Sequence, residues 1–163
     1  MYVHSLKAIQ FIPVNIDKAW DFFSDPANLQ DITPPETHFR IISHHQGKKI
    51  YAGQIIEYTL RPVLNFPVYW MTEITHVDPK TYFVDEQRFG PYRLWHHQHH
   101  FKEVDGGIEM TDIVHYKIPF SFLGAFAHWL FVKKKLHGIF TYRFRKVEEI
   151  FGSSGRNFQI SMK

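Results

Sequence analysis

Residues 93–118 read RLWHHQHHFKEVDGGIEMTDIVHYKI and predict two long antiparallel strands joined by a tight turn. Apolar and polar residues alternate on both sides of Asp105-Gly106, a dipeptide typical of a two-residue type I′ hairpin turn. Such a turn places Val104 opposite Gly107, and this pairing sets the register of every pair further along the two strands. The rest of the architecture can be worked out from this hairpin.

One face of the hairpin carries a distinctive set of side chains, because successive residues of a strand point to opposite faces. Counting outward from the turn, the pairs on this face are Phe101–Met110, His99–Asp112, His97–Val114 and Trp95–Tyr116. The other face collects mostly polar residues: His96, Gln98, His100, Thr111, Ile113, His115 and Lys117. We therefore predict that the first set points into the protein.

A second hairpin precedes this one, and its register depends on the length of its loop. A three-residue loop over residues 90–92 gives the pairs Phe89–Arg93, Gln87–Trp95 and Asp85–His97. The inward residues of this strand are then Phe83, Asp85, Gln87 and Phe89. A two-residue loop would turn this whole set outward. The three-residue loop places two carboxylate–imidazole pairs, Asp85–His97 and His99–Asp112, on neighbouring strands.

The remaining sequence predicts an α+β domain. Its strand-like segments are Val3–Ile12, Phe39–His45, Gln54–Arg61, Val68–Val77, Tyr82–Phe89, Arg93–Val104 and Ile108–Ile118. Two short helices, Ile16–Phe23 and Ala27–Ile32, follow the first strand, and a long amphipathic helix covers Leu123–Phe151. A curved seven-stranded antiparallel sheet around the C-terminal helix satisfies this order, and an open α+β sandwich with a filled core is the alternative.

The length of 163 residues is that of one domain, which we expect to cover residues 1–151. The segment Gly152-Ser153-Ser154-Gly155 is typical of a linker, so we expect residues 152–163 to form a flexible tail. The alternation of Phe158, Ile160 and Met162 would also allow this tail to pair with an edge of the sheet.

Composition excludes several classes of function. The chain has no cysteine, so it has no disulfide framework and no thiolate metal site. The net charge of +3 is spread along the chain, and we predict no nucleic-acid partner. With neither a signal peptide nor a membrane-spanning segment, the predicted location is cytoplasmic. A basic last helix allows transient contact with a membrane surface, and the chain is expected to be a monomer or a homodimer.

The histidine-rich run at residues 96–100 raises the question of a metal site. His97 and His99 face the same side of the strand. With Asp85 or Asp112 they would form a two-histidine, one-carboxylate site of a kind that binds metals. A hydrogen-bonded polar cluster explains the same residues, and we predict this cluster, with no metal and no cofactor.

Five motifs resemble bacterial START-like (SRPBCC) proteins, a group that includes polyketide cyclase/dehydrase-like and birch-pollen-allergen-like proteins. They are AWDFFSDPANL at residues 19–29, FVDEQRFGPY at 83–92, W-x-H-x-H-x-F at 95–101, MTDIVHYKIP at 110–119 and IFTYR at 139–143. Their order and spacing cover nearly all of the chain up to Phe151. Similar bacterial proteins are sometimes labelled cell-division inhibitors, and some resemble a domain attached to a sugar-epimerase-like protein.

The resemblance implies a helix-grip fold with a cavity between the sheet and the C-terminal helix. It also implies an apolar ligand such as a lipid, a sterol or a polyketide. We therefore expect the protein to bind a hydrophobic small molecule with a polar end. One alternative is a cyclase, dehydratase or isomerase that uses a His–carboxylate pair on such a molecule. Another is an interaction domain whose pocket is filled by its own aromatic side chains.

The predicted ligand-binding residues combine the inward set of the hairpins with the aromatic residues of the last helix. They are Asp85, Gln87, Trp95, His97, His99, Asp112, Tyr116, Trp129 and Phe140. If the protein is an enzyme, the candidates for catalysis are His97, His99, Asp112 and Asp85. One of the two histidines would then be the general acid or base, and its neighbouring carboxylate would orient it.

Overall fold

An antiparallel sheet and two α-helices make up most of the computed structural model, which describes residues 3–44, 49–61, 66–119, 131–156 and 158–163. The strands are β1 (His4–Ile12), β2 (Arg40–Ile41), β3 (Gln54–Leu60), β4 (Val68–Asp78), β5 (Tyr82–Phe89), β6 (Leu94–Val104), β7 (Gly107–Lys117) and β8 (Gln159–Met162). The helices are α1 (Ile16–Phe23) and α2 (Lys133–Phe151). Within the described residues, the strands form one sheet in the order β2-β3-β4-β5-β6-β7-β1-β8.

The register predicted for the β6–β7 hairpin is confirmed. Val104 pairs with Gly107, and the four inward pairs from Phe101–Met110 to Trp95–Tyr116 form as counted. The prediction of a type I′ turn is wrong, because that turn needs a positive φ at both central residues and only Gly106 has one, at 81°. Glycine adopts this conformation without steric cost, so the loop keeps two residues and the register is unchanged.

The pairing of β5 with β6 follows the register of the three-residue loop, but only over the first part of β5, from Tyr82 to Glu86. Asp85 pairs with His97 as predicted, but the described ladder ends one pair later, before Gln87 and Phe89. The predicted inward position of Phe89 is wrong, since its side chain is 62% exposed. The register of β5 against β4 shifts near this end, and the Phe89 ring contacts Tyr69 at a centroid distance of 5.5 Å.

The sheet has eight strands where the sequence predicts seven. The additional strand is β8, which pairs with the outer edge of β1 from Leu6–Met162 to Ile9–Gln159. It belongs to the segment that we expected to be a flexible tail. The unpaired backbone groups on the edge of β1 explain the pairing, as edge strands readily accept a further strand. Ile160 and Met162 also pack against the core.

Two other elements are shorter than the sequence predicts. The strand expected over Phe39–His45 is reduced to Arg40–Ile41, because the N–H groups of Ile42 and Ser43 both donate to the Glu57 carbonyl and interrupt the ladder. The expected second helix is a 3₁₀ turn over Pro26–Leu29, capped by the Asp25 side chain. A further 3₁₀ turn covers Pro35–Thr37.

Helix α2 packs across one face of the sheet and helps to divide the core into two clusters. Its described part begins at Lys133, so the predicted start at Leu123 lies outside the described residues. Leu136 and Phe140 pack with side chains of β1 and β7, whereas Val147 packs with a larger cluster near α1. None of the described helices is long and apolar enough to span a membrane.

The start of β7 passes so close to the end of β1 that no side chain fits there. A Cβ at Gly107 would lie 2.3 Å from the Ile12 carbonyl oxygen, whereas a Cβ at Gly138 in α2 would face open space. We expect Gly107→Ala to cost about 1–3 kcal/mol of unfolding free energy through overpacking. Gly138→Ala should add about 0.5–1 kcal/mol, since alanine favours helices. Urea denaturation measures both, and shifts of the same sign would contradict this packing.

Candidate functional site

A cavity of about 380 Å³ lies between the sheet and helix α2. Its walls are mainly apolar and aromatic, including Ile56, Trp70 and Phe83 from the sheet and Ile139 and Phe140 from the helix. Side chains near the C-terminal end of α1 and in the following 3₁₀ turn close another side. The volume lies within the range of roughly 300–1,000 Å³ that is typical of small-molecule sites.

Two imidazoles and a carboxylate interrupt this apolar wall. Asp85 lies on β5, and His97 and His99 lie on the adjacent strand β6, where the alternation of a strand turns both rings to the same face. All three line the cavity. Asp112 on β7 is the cross-strand partner of His99. Together Asp85, His97, His99 and Asp112 form a group that we call the His–Asp cluster.

Each imidazole of the His–Asp cluster contacts both carboxylates. His97 Nε2 is 3.0 Å from Asp112 Oδ1, and its Nδ1 is 3.4 Å from Asp85 Oδ2. His99 Nε2 is 2.9 Å from Asp85 Oδ2, and its Nδ1 is 2.8 Å from Asp112 Oδ1. The strand partners are those predicted, but the aligned hydrogen bonds run diagonally, from His97 to Asp112 and from His99 to Asp85.

One contact of the cluster is close but poorly aligned. His99 Nδ1 approaches Asp112 within 2.8 Å, yet this buried nitrogen has no hydrogen bond of acceptable geometry in the described part of the chain. We regard the approach as an electrostatic contact, since hydrogen bonds weaken steeply away from linearity. The two imidazole rings lie 3.8 Å apart, and Phe83 stacks on His99 at 4.1 Å.

Arg143 brings a fixed positive charge to the cluster from helix α2. Its Nη1 lies 3.4 Å from Asp112 Oδ1, and its side chain is mostly buried. The guanidinium stays protonated in proteins, so it supplies a counter-charge for the buried carboxylates. Arg143 is absent from the predicted site, because a position in a helix carries no signal of which strand its side chain will reach.

The surroundings of the cluster shift the pKa values of the two histidines in opposite directions. Burial would raise the pKa of Asp85 and of Asp112, but the nearby cations and hydrogen bonds outweigh it and lower both. Burial, with the neighbouring His99, lowers the pKa of His97. Burial also acts to lower the pKa of His99, but the hydrogen bond to Asp85 and the close approach of Asp112 raise it overall. The nearby histidines and Arg143 thus favour the ionised form of both carboxylates.

Aromatic side chains surround the other part of the cavity wall. Trp70 stacks on Tyr58 and meets Trp95 edge to face, with ring centroids 5.8 Å and 5.4 Å away. The indole Nε1 of Trp70 is buried and has no hydrogen-bond partner among the residues that the structure describes. Trp70 and its neighbour Thr72, which shares a 3.0 Å hydrogen bond with Tyr58, are absent from the predicted site. The alternation of Trp70, Thr72 and Ile74 on β4 is the sequence signal that could have identified them.

The structure places the predicted site residues in three groups. Those that line the cavity are Asp85, Trp95, His97, His99 and Phe140. Gln87, Asp112 and Tyr116 are not among the described lining residues, and Trp129 lies outside the described residues. Gln87 instead binds the backbone of Tyr92 through both ends of its amide, which closes the β5–β6 loop.

Asp112 and Tyr116 lie behind the cavity wall. Asp112 is behind the two imidazoles and contacts both of them. Tyr116 is 1% exposed and packs in the core cluster with Leu6 and Phe140. Burial raises the pKa of Tyr116 to about 12, so its hydroxyl stays protonated at neutral pH. These two residues support the wall from behind.

Solved structures share this architecture. A START superfamily protein from Mycobacterium smegmatis is 10% identical, and the match covers 90% of this chain and 99% of that one with a TM-score of 0.65. Major latex-like protein 151 from Panax ginseng is 13% identical, with 91% and 97% covered and a TM-score of 0.65. No family model and no curated protein sequence matches this chain.

A third match concerns part of a larger protein. A nucleoside-diphosphate sugar epimerase from Corynebacterium glutamicum is 19% identical, with 88% of this chain but 28% of the epimerase covered and a TM-score of 0.60. At such identities the likeness shows the fold and nothing finer. The protein has the START-like helix-grip fold, as its motifs predict.

Proposed function

We propose that this START-like protein binds a hydrophobic small molecule with a polar end in the cavity between the sheet and helix α2. The observation that carries the proposal is an apolar cavity of about 380 Å³ with a charged cluster on one wall. Ligand sites typically combine mostly apolar walls with a few convergent polar groups that orient the ligand.

Different lining residues would contact different parts of the ligand. Ile56, Phe83 and Ile139 offer apolar contact to the body of the ligand. Asp85, His97 and His99 offer hydrogen bonds to its polar end. The indole N–H of Trp70, which has no acceptor within the described part of the chain, offers a further donor. A buried donor without an acceptor is costly, so an acceptor on the ligand would satisfy it. The ligand class is therefore an apolar molecule that carries at least one oxygen acceptor.

The proposal predicts thermal stabilisation by a suitable ligand. A panel of fatty acids, sterols and aromatic polyketides is screened for a rise in melting temperature. A ligand at 100 times its Kd adds about 2.7 kcal/mol, which is roughly 5–10 °C for a chain of this size. The panel is then repeated with Ile139→Trp, whose larger side chain should fill the cavity and weaken binding at least about tenfold.

The matched control for this experiment is His137→Trp, an exposed position of the same helix that should leave binding unchanged. Isothermal titration calorimetry gives the affinities. The proposal fails if no member of the panel stabilises the protein. It also fails if Ile139→Trp and His137→Trp bind a stabilising ligand equally well.

A second candidate function is an acid–base reaction on the bound molecule, such as a dehydration or an isomerisation. The observation that favours it is the opposite direction of the two imidazole pKa values, lowered at His97 and raised at His99. Two imidazoles whose ring centroids lie 3.8 Å apart and whose pKa values shift in opposite directions offer a base and an acid on the same wall.

A further inference from the structure

We propose that Asp85, His97 and His99 bind a divalent transition-metal ion, with Zn²⁺ as the preferred member of the class. The ion would lie on the cavity wall, since all three residues line it. Their donor atoms all lie within 4.8 Å of one another, the only such group of three among the described residues. The metal site itself does not depend on the ligand proposed above.

The distances within the group are close to those of a metal site. Asp85 Oδ2 lies 3.4 Å from His97 Nδ1 and 2.9 Å from His99 Nε2. Zinc binds imidazole nitrogen and carboxylate oxygen at about 2.0–2.2 Å, so ligand atoms of a tetrahedral site lie roughly 3.3 Å apart. The donor atoms of the two imidazoles lie within 4.8 Å of each other, so the side chains would have to close on the ion to bring all three donor atoms to it.

The outer nitrogens of the two imidazoles support the same assignment. His97 Nε2 and His99 Nδ1 lie 3.0 Å and 2.8 Å from the same oxygen of Asp112. A histidine that binds a metal usually directs its other ring nitrogen to a carboxylate or carbonyl, which orients the ring. Asp112 takes this position for both rings, and Arg143 holds Asp112 in turn.

Hydrogen bonding alone leaves this cluster incompletely satisfied. The 3.4 Å contact between His97 Nδ1 and Asp85 is an ion-pair distance and not a hydrogen bond of good geometry. His99 Nδ1 is buried without an aligned partner in the described part of the structure. Of these two nitrogens only His97 Nδ1 faces Asp85, so it is the one that a bound ion would satisfy, while His99 Nδ1 stays directed at Asp112.

The donor set indicates the class of ion. Two imidazoles and one carboxylate, in a chain without cysteine, suit Zn²⁺ and similar divalent transition metals better than Mg²⁺ or Ca²⁺. The two carboxylates of the cluster also outnumber its one fixed cation, Arg143. Three protein ligands leave a coordination position open, as in sites that bind a substrate oxygen.

The open position deepens the proposed function, and this one step rests on it. The position would face the cavity, so the polar end of the ligand would coordinate the ion. An oxygen donor such as a carboxylate, an enolate or a 1,3-dicarbonyl group has the required chemistry. A hydrocarbon without such a donor would gain nothing from the metal.

The test uses the full chain, first treated with a chelator and then titrated with Zn²⁺ alone. Native mass spectrometry and calorimetry are expected to show one tightly bound ion per chain. His97→Ala and Asp85→Asn should weaken binding more than about 100-fold, because changing a residue that only orients a metal ligand already costs about 10–100-fold. The matched controls are His96→Ala and His100→Ala, which lie on the same strand but on its other face and should keep the wild-type affinity.

Two further measurements distinguish the loss of the metal site from the loss of the fold in a variant. Circular dichroism checks the fold of each variant, and wild-type protein loaded with Co²⁺ should show the visible absorption bands of a tetrahedral site. Wild-type protein that binds no Zn²⁺ would overturn the proposal. Binding that survives His97→Ala but is lost in His96→Ala would overturn it too, as an adventitious ion on the outer face.

The two proposals can fail separately. Because the metal titration contains no organic ligand, a protein that binds Zn²⁺ but no apolar molecule would contradict the proposed function only. Apolar ligands that bind equally well with and without the ion would contradict only the step in which the ligand coordinates the metal.

Discussion

Replacing Asp112 with alanine is expected to lower the free energy of unfolding by about 3–5 kcal/mol, the usual cost of removing one partner from a buried ion pair. Asp112 is buried and contacts His97, His99 and Arg143. Without it, the Arg143 guanidinium keeps a place in the interior but loses its carboxylate. Urea denaturation of the chelator-treated protein at neutral pH measures the loss.

The loss should also depend on pH in a definite direction. The pKa of Asp112 is lowered in the folded protein, so its ionised form stabilises the fold above the unfolded pKa of about 3.9. This contribution disappears as the pH falls through the folded pKa. The difference between wild type and Asp112→Ala should therefore be full at neutral pH and shrink in acid.

A matched control is Glu109→Ala, three residues away on β7 with its side chain on the opposite face. Substitutions at such positions typically change stability by less than about 0.5 kcal/mol. If Asp112→Ala costs no more than Glu109→Ala, the cluster does not hold Arg143 and the two imidazoles by charge, and its assignment is wrong.

Phe140→Ala is expected to cost about 3–5 kcal/mol, as for other large-to-small changes at buried aromatic positions. The ring is 5% exposed and packs between helix α2 and the sheet. It also faces the His97 ring at 5.9 Å and the Arg143 guanidinium at 5.8 Å. Its loss removes contacts that hold the helix over the His–Asp cluster.

The same substitution should enlarge the cavity, because Phe140 is part of its wall. We expect bulkier members of a ligand series to gain affinity relative to smaller ones. Lys134→Ala, at an exposed position of the same helix, is the control and should change neither stability nor ligand preference. A cost below about 1 kcal/mol would mean that this ring does not hold the helix on the sheet.

The candidate site shows where reasoning from sequence succeeds. The lengths of two short loops predict that Asp85, His97, His99 and Asp112 share one face, and the strand pairs agree. This works because the pleat alternates regularly and a loop of known length leaves one register. Phe89 shows the limit, since the register of β5 against β4 shifts between Gln87 and Phe89, and such an irregularity breaks the alternation.

The local sequence thus accounts for the order of elements along the chain, the β6–β7 register and the common face of the four cluster residues, which all depend on neighbours a few positions apart. The diagonal hydrogen bonds, the arrival of Arg143 at Asp112 and the addition of β8 to β1 depend on packing between distant segments. Periodicity cannot specify such contacts, because they are set by how far α2 approaches the sheet and by which rotamers fit between them. The cavity is the space left by that packing, so its size and shape are likewise decided by the tertiary structure and not by the local sequence.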